Sequence, residues 1–337
     1  MDAKRTPEPE RLAALARSFA GRRVLVVGDL IADQFLFGEI SRVSREAPVL
    51  ILRHERTETV PGGAANCVMN LASLGARAAV VGAVGDDEAG RALLARLDGA
   101  GVDCGGVVVS DRLRTTTKVR VLAGQAHSPR QQVIRVDYES ETRADEFEPQ
   151  VVERLRGRLA GAEAVVVSDY GYGVAGASVV ETLRGVAAKG RAPVLVDSRF
   201  RLRDFHGLTS ATPNEDEVEH LTGRRVEDGA GLALLGEQLR SSLGFEALLV
   251  TRGRDGMTLV EAGTGPLQLA AVGSHDAVDV TGAGDTVIAT YALALAAGAG
   301  YHEAAALANH AGGIVVLKRG TACVNAEELL ASLRDNN

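Results

Sequence analysis

The chain has 337 residues, 46% of them hydrophobic and 24% charged, with a formal net charge of −7. That length suits one large α/β domain or two small ones, and the interspersed charges argue against an extended nucleic-acid surface while allowing a local basic cluster for a small substrate. Cys67, Cys104 and Cys323 are odd in number and far apart, without CxxC spacing, so neither a disulfide framework nor a zinc site is expected.

Residues 1–23 lack the apolar core of a signal peptide, and a short amphipathic helix is expected within them. "RRVLVVGD" reads as a buried strand ending at Asp29. The stretch after it, "QFLFGEISRVSREAPVLILRHERTETVPGG", alternates and is rich in charge, like strands with one wet face. Then "AANCVMNLASLG" reads as helix, "ARAAVVGAVG" as strand, and "DDEAGRALLARLDGAG" as a helix capped at its end by glycine. A second wet-faced patch follows, "TTTKVRVLAG" with "RQQVIRVDYE". Beyond it the strands "AEAVVVSD", "APVLVD", "ALLVTRG" and "GMTLVEAG" are interleaved with helices, and the C-terminal third is mostly helical. The longest uncharged apolar run, from Val287 to Gly300, is short for a bilayer and reads as a core helix. A cytoplasmic protein with no membrane or nucleic-acid partner is expected.

Strands alternating with helices predict a mainly parallel sheet covered on both faces. The wet-faced patches do not fit that layout. They predict a small β-sheet outside it, a lid or an oligomer interface.

"DVTGAGDT", residues 279–286, joins a β-prone segment to a helix-prone one. Small residues there let backbone N–H groups face a ligand, and the helix N-terminus favours an anion. A carboxylate beside an anion hole suits proton removal from a hydroxyl that attacks a held phosphate. Asp285 would be the base, with Gly282, Ala283 and Gly284 holding the transferred charge. A tight connection with Asp285 merely favouring the helix dipole explains the same residues. Gly62, Gly63 and Asn66 open another helix and suit a polyhydroxyl sugar, or a turn and an N-cap. Asn214 and Glu217 in "TPNEDE" suit a hydrated magnesium ion, or a capping arrangement. GxxxxGK[ST] and GxSxG are absent. "GYGVAG", residues 171–176, matches GxGxxG with Asp197 at the right distance, which leaves an NAD-dependent oxidoreductase as an alternative. Against it, Ser168, Asp169 and Tyr170 intervene between strand and glycine, and Asp169 would face the pyrophosphate.

Taken together, "PGGAANCVMNLASLGARAAVVGAVGDDEAG", "TPNEDE" and "DVTGAGDT" resemble three motifs of the ribokinase-like (PfkB) carbohydrate kinases, in their order, over about residues 23–324. The resemblance implies an α/β/α three-layer sandwich with a small β-sheet lid. One kinase domain would span 1–337, with lid segments at about 34–61 and 114–139. It implies ATP and Mg2+, with K+ as a further cation. Asp285 would be the base and Gly282–Gly284 the anion hole. Asp29, Asp33, Gly62, Gly63 and Asn66 would lie at the sugar. Thr251, Arg252, Gly253, Gly256 and Asn309, with Asn214, would lie at the nucleotide. Asn214 and Glu217 would act on magnesium through water, and Asp279 and Thr281 would lie at a monovalent cation. Within the family the chain resembles the members that phosphorylate D-glycero-β-D-manno-heptose 7-phosphate at O1. This likeness rests on "GDLIADQFLFGEISRVSREAPV", "TTTKVRV", "QQVIRVDYE" and "DVTGAGDTVIA". Arg42, Arg45, Lys118 and Arg120 fall in the expected lid and could meet the acceptor's phosphate, or be solvated lid charges. Tyr172 stands where those members show lysine, and Asp197-Ser198-Arg199 where they show Asp-Pro-Lys. Near Arg45 they carry a proline. A homodimer through the lid is expected. A regulator that binds sugar on the same scaffold is the reading from another class, and the intact base argues against it.

Overall fold

The computed structural model describes residues 7–124, 130–226, 228–273 and 277–335. After α1 (Pro9–Arg17), which buries Leu12, Leu15 and Ala16, the chain enters β1 (Arg23–Gly28). It leaves at Asp29 into a long hairpin, β2 (Leu30–Val43) and β3 (Leu50–Gly63). Next come α2 (Ala64–Ser73), β4 (Arg77–Gly85), α3 (Glu88–Gly99) and β5 (Asp103–Ser110). A second hairpin, β6 (Thr117–Gly124) and β7 (Gln131–Tyr138), precedes α4 (Glu148–Leu159). Then β8 (Ala164–Asp169), α5 (Ala177–Ala187), β9 (Val194–Ser198), β10 (Ser210–Ala211), α6 (Glu215–Thr222) and α7 (Gly229–Leu243) follow. The chain ends with β11 (Ala247–Thr251), β12 (Met257–Glu261), β13 (Leu267–Leu269), α8 (Ala283–Ala296), α9 (Tyr301–Val315) and α10 (Ala326–Asp335).

Nine strands form one sheet in the order β13-β12-β11-β10-β9-β8-β1-β4-β5. The pairs from β11 through β5 are parallel, and β12 and β13 add an antiparallel edge. Alternation along the central strands divides the core in two. Val24, Val26 and Val166 face a layer of α1, α2, α8 and α9, while Leu25, Val27 and Val167 face α4, α5 and α7. This is the expected three-layer sandwich. Helix α8 carries the apolar run read as a core helix, and Asp285 to Ala294 are all buried.

The wet-faced patches pair as a separate four-stranded sheet in the order β3-β2-β6-β7, with β2 and β6 parallel and both hairpins antiparallel. β7 is exposed along its whole length. Residues 125–129, within the second expected lid segment, lie outside the described residues. β5 and the short β10 and β13 have no counterpart in the sequence reading.

Candidate active site

Helix α8 begins at Gly282, in the left-handed region at φ 78°, and a Cβ there would lie 2.4 Å from Asn66 Nδ2. Glycine therefore serves two needs at this position: the turn into the helix, and the approach of an amide from α2. Asn66 Nδ2 donates to Asp285 Oδ2 at 2.9 Å and to the Gly282 carbonyl at 3.3 Å. Asn70 Nδ2, one turn on, donates to the Asn66 carbonyl at 3.0 Å and to Asn66 Oδ1 at 3.3 Å. The Tyr170 hydroxyl donates to Asp285 Oδ1 at 3.0 Å. Asp285 is 2% exposed. Burial pushes its carboxyl up to about 7, against the opposing hydrogen bonds from Asn66 and Tyr170. Such a group changes protonation near neutrality, as a general base requires.

Asp285 borders a cavity of about 530 Å³ between the lid sheet and the strand ends of the large sheet. Asp33, Gly63, Gly282, Gly284 and Thr281 line it, as do Lys118 and Arg120 from β6. Arg120 contacts Asp33 at 3.4 Å. Arg135 from β7 and Arg199 after β9 enter the same cavity, two cations that sequence reading did not assign. Burial pulls the Lys118 ammonium below its usual range, partly offset by the charge of Asp33.

At the other end stand Asp169, Asp197 and Glu217. Burial, with the charges of Glu217 and Asp285, pushes the Asp197 carboxyl well up. Burial also raises Glu217, partly offset by the Asn214 N–H. Asn214 and Glu217 form a capping box on α6, with Glu217 N–H to Asn214 Oδ1 at 2.8 Å and Asn214 N–H to Glu217 Oε2 at 2.9 Å. The capping reading is thus correct, and both residues still line the cavity. Acids crowded this way gain from a divalent cation. Among the described residues no cluster of three or more His, Cys, Asp or Glu closes around a metal. The oxygen donors of Asn214, Glu217 and Asp197 are of the type a hard divalent cation takes.

A second, more apolar cavity of about 190 Å³ lies across α8, lined by Gly253, Gly256, Met257, Val287 and Asn309 among others. Asn309 Nδ2 donates to the Ala270 carbonyl at 2.7 Å. The two cavities share Thr251, Val280 and Gly284, so they meet at the first turn of α8.

Several expectations need correction. Asp29 is absent from the wall of the polar cavity. Its carboxylate accepts the N–H groups of Tyr170 (2.8 Å), Tyr172 (3.1 Å) and Val174 (3.2 Å). Burial and the charge of Asp169 push it up to about 6 despite these bonds. Those three N–H groups belong to the "YGYGV" loop, so the GxGxxG match wraps the protein's own carboxylate and not a pyrophosphate. The dinucleotide alternative falls with it. Asn66 is turned to Asp285 and is absent from the wall of the polar cavity. Gly62 lies beneath Asp33, where a Cβ would meet Oδ2 at 2.4 Å. Arg42 and Arg45 are exposed near the tip of the first hairpin and are absent from the cavity wall. Arg252 pairs with Glu215 at 3.2 Å, and Arg254 lines the apolar cavity in its place. Ala283 spends its N–H on the Val280 carbonyl at 3.2 Å and Thr286 on the Gly282 carbonyl at 3.1 Å, which leaves the N–H groups of Gly284 and Asp285 for an anion. Asp279 accepts from Thr281 N–H and Gly320 N–H, both at 2.9 Å. Burial raises its carboxyl, but these bonds win and hold it below the usual range. Asp279 thus shapes the loop.

A buried carboxylate at a helix N-terminus, between a polar cavity under the small sheet and an apolar one, suits a class: enzymes that move a phosphoryl group to a small molecule. The comparisons agree. A family model for pfkB family carbohydrate kinases matches residues 22–327. The bifunctional protein HldE of Desulfatibacillum aliphaticivorans is 40% identical over 319 residues, covering 94% of this chain and 64% of that protein. The bifunctional protein HldE of Hahella chejuensis is 44% identical over 312 residues, covering 92% and 63%. The chain thus spans less than two thirds of the length of these relatives. An Arabidopsis thaliana ribokinase, complexed with ribose and ATP, matches with a TM-score of 0.71 at 22% identity, covering 94% of this chain and 99% of that one. Phosphofructokinase-2 from Escherichia coli, in complex with potassium, matches at 0.73 and 18%, with the same coverage. The chain belongs to the pfkB family of carbohydrate kinases, and its reaction is phosphoryl transfer to a sugar hydroxyl.

Proposed function

We propose that the protein transfers the γ-phosphoryl group of ATP to O1 of D-glycero-β-D-manno-heptose 7-phosphate, with Asp285 as the general base. The observation that carries this reading is the meeting of the two cavities at the first turn of α8, beside Asp285. The apolar cavity suits an adenosine moiety, with Asn309, Gly253 and Gly256 in its wall. The polar cavity suits the acceptor. Asp285 takes the proton of the attacking hydroxyl as the oxygen bonds to phosphorus and the bond to the ADP leaving group breaks. The free N–H groups of the first turn, with Gly284 at the shared wall, receive the charge on the phosphoryl oxygens. Magnesium, held near Asn214 and Glu217 with Asp197 close by, would supply charge neutralisation on the phosphates.

The acceptor's own phosphate is supported by Lys118, Arg120, Arg135 and Arg199 in one cavity. Arg120 contacts Asp33 and Arg135 pairs with Asp137, so each of these would exchange a carboxylate for the phosphate, while Lys118 and Arg199 would meet it directly. The likeness to HldE points the same way. Lys118→Ala and Arg135→Ala test this. Each is expected to raise KM for the heptose 7-phosphate by about tenfold or more, as loss of a charge-assisted hydrogen bond implies, with a much smaller change in kcat. Unchanged KM in both variants would remove the phosphate from the acceptor.

A homodimer through the lid is part of the proposal. Its support is the exposed apolar row on β7, Val133, Ile134, Val136 and Tyr138, on a sheet edge open to pairing.

A further inference from the structure

Asp285 is held from two sides, and the two sides differ. Asn66, on Oδ2, is fixed in α2 by Asn70 and by the Gly282 carbonyl. Tyr170, on Oδ1, comes from a loop and lines the acceptor cavity. That loop follows β8 and has no regular structure of its own. Its anchor is the buried carboxylate of Asp29, which takes the N–H groups of residues 170, 172 and 174. The chain therefore devotes one buried acid to placing a phenol on another.

We propose that Tyr170 is a positioning residue for the base: its hydroxyl orients the Asp285 carboxylate toward the acceptor and favours its ionised form. This rests on the reading of Asp285 as the base. Burial and the charge of Asp285 push the Tyr170 phenol well above its usual range, so the phenol stays protonated and can only donate. A carboxylate oxygen has two acceptor sites, so Oδ1 can keep the tyrosine and still take the acceptor's hydroxyl proton. The surroundings do not supply a substitute donor. Lys118, from β6, lies 5.5 Å from the centre of the Tyr170 ring, and its charge favours the ionised form of Asp285 without a hydrogen bond to it. Asp33 from β2 and Asp197 from β9 carry the same charge as the base, Arg199 acts across the cavity on Asp197 and the Tyr170 phenol, and Cys67 on α2 is a buried thiol. Sequence reading named Tyr170 only as part of an obstacle to a dinucleotide turn.

The test is the pH profile of kcat/KM, with ATP, Mg2+ and D-glycero-β-D-manno-heptose 7-phosphate as the assay mixture. In Tyr170→Phe the acid limb should move up by about one pH unit, the size expected for losing a donor to a charged group. With 3-fluorotyrosine at position 170, a stronger donor of nearly the same volume, the limb should move down. A uniform loss of activity with the limb unmoved in both proteins would overturn the proposal. The fluorine resonance of the same protein gives a readout without substrate. It should titrate with Asp285 and cease to do so when Asp285→Asn is added; a resonance indifferent to that change would also overturn it. If the wild-type chain does not turn over this sugar, the proposed substrate fails while the fluorine titration still decides the role of Tyr170. If Asp285→Asn keeps full turnover, the base and this inference fall together.

Discussion

Asp285 illustrates the conflict between stability and chemistry at a single residue. Its folded carboxyl holds a proton up to about 7, against an ordinary value of 3.8. Between those values the folded chain binds the proton more tightly than the unfolded chain, so the contribution of this group to stability is present at low pH and is lost as pH rises through 7. Turnover has the opposite sign, because the base must be ionised, and should climb through the same range. Asp285→Asn should therefore melt at higher temperature than the wild type at pH 8, by a few kcal/mol of stability at most. The gap should close towards pH 4. Calorimetry of both proteins across pH 4–8 checks this, and a variant less stable at pH 8 would contradict the assigned burial cost. The role expected for Asp285 was legible from "GAGD" because glycine and a carboxylate at a helix mouth have local chemistry. Asn66 and Tyr170 were not legible as its partners. They lie 219 and 115 residues away in sequence, and only the packing of α2 and β8 against α8 brings them together.

At the scale of elements, the strands and helices were readable where hydrophobic period and length agreed, as in β1, β4, β8 and α8. Short β10 and β13, with two and three residues, carry no period to read. The glycine loop after β8 misled because GxGxxG specifies a turn and not what fills it. Here φ is 84° at Gly171 and 105° at Gly173, and the turn closes on Asp29. The join between β13 and α8 makes a sharper prediction. Gly282→Ala places a side chain in the left-handed region and against the Asn66 amide, at a cost of about 1–3 kcal/mol. A drop in melting temperature, together with about a tenfold fall in kcat as Asn66 is pushed off Asp285, is the expected result. Unchanged kcat would show that Asn66 does not need its present place.

At the scale of the whole molecule, the two-sheet arrangement was legible because the lid strands alternate charge with apolar residues while the central strands are continuous apolar runs. The lid cations were only half legible. Lys118 and Arg120 were expected in the cavity, whereas Arg42 and Arg45 are exposed near the hairpin tip. Arg135 was not assigned because the pairing of β6 with β7 decides which side chains face the cavity, and Arg199 because the cavity extends to the end of β9. The exposed face of β7 predicts a dimer in solution. Sedimentation should give twice the mass of the 35.2 kDa chain, and Ile134→Lys should give the single-chain mass. A wild-type monomer at micromolar concentration would remove the lid interface.

The central claim is phosphoryl transfer by Asp285 to a phosphorylated heptose. The direct measurement is ADP release from ATP and Mg2+ across D-glycero-D-manno-heptose 7-phosphate, sedoheptulose 7-phosphate, fructose 6-phosphate, ribose and fructose, with Asp285→Asn beside the wild type. The expected result is turnover on the heptose 7-phosphate far above the others, reduced by about 10²–10⁴ in the variant with acceptor binding retained. Turnover on another sugar with the heptose silent would contradict the substrate, and near-normal turnover by Asp285→Asn would contradict the mechanism.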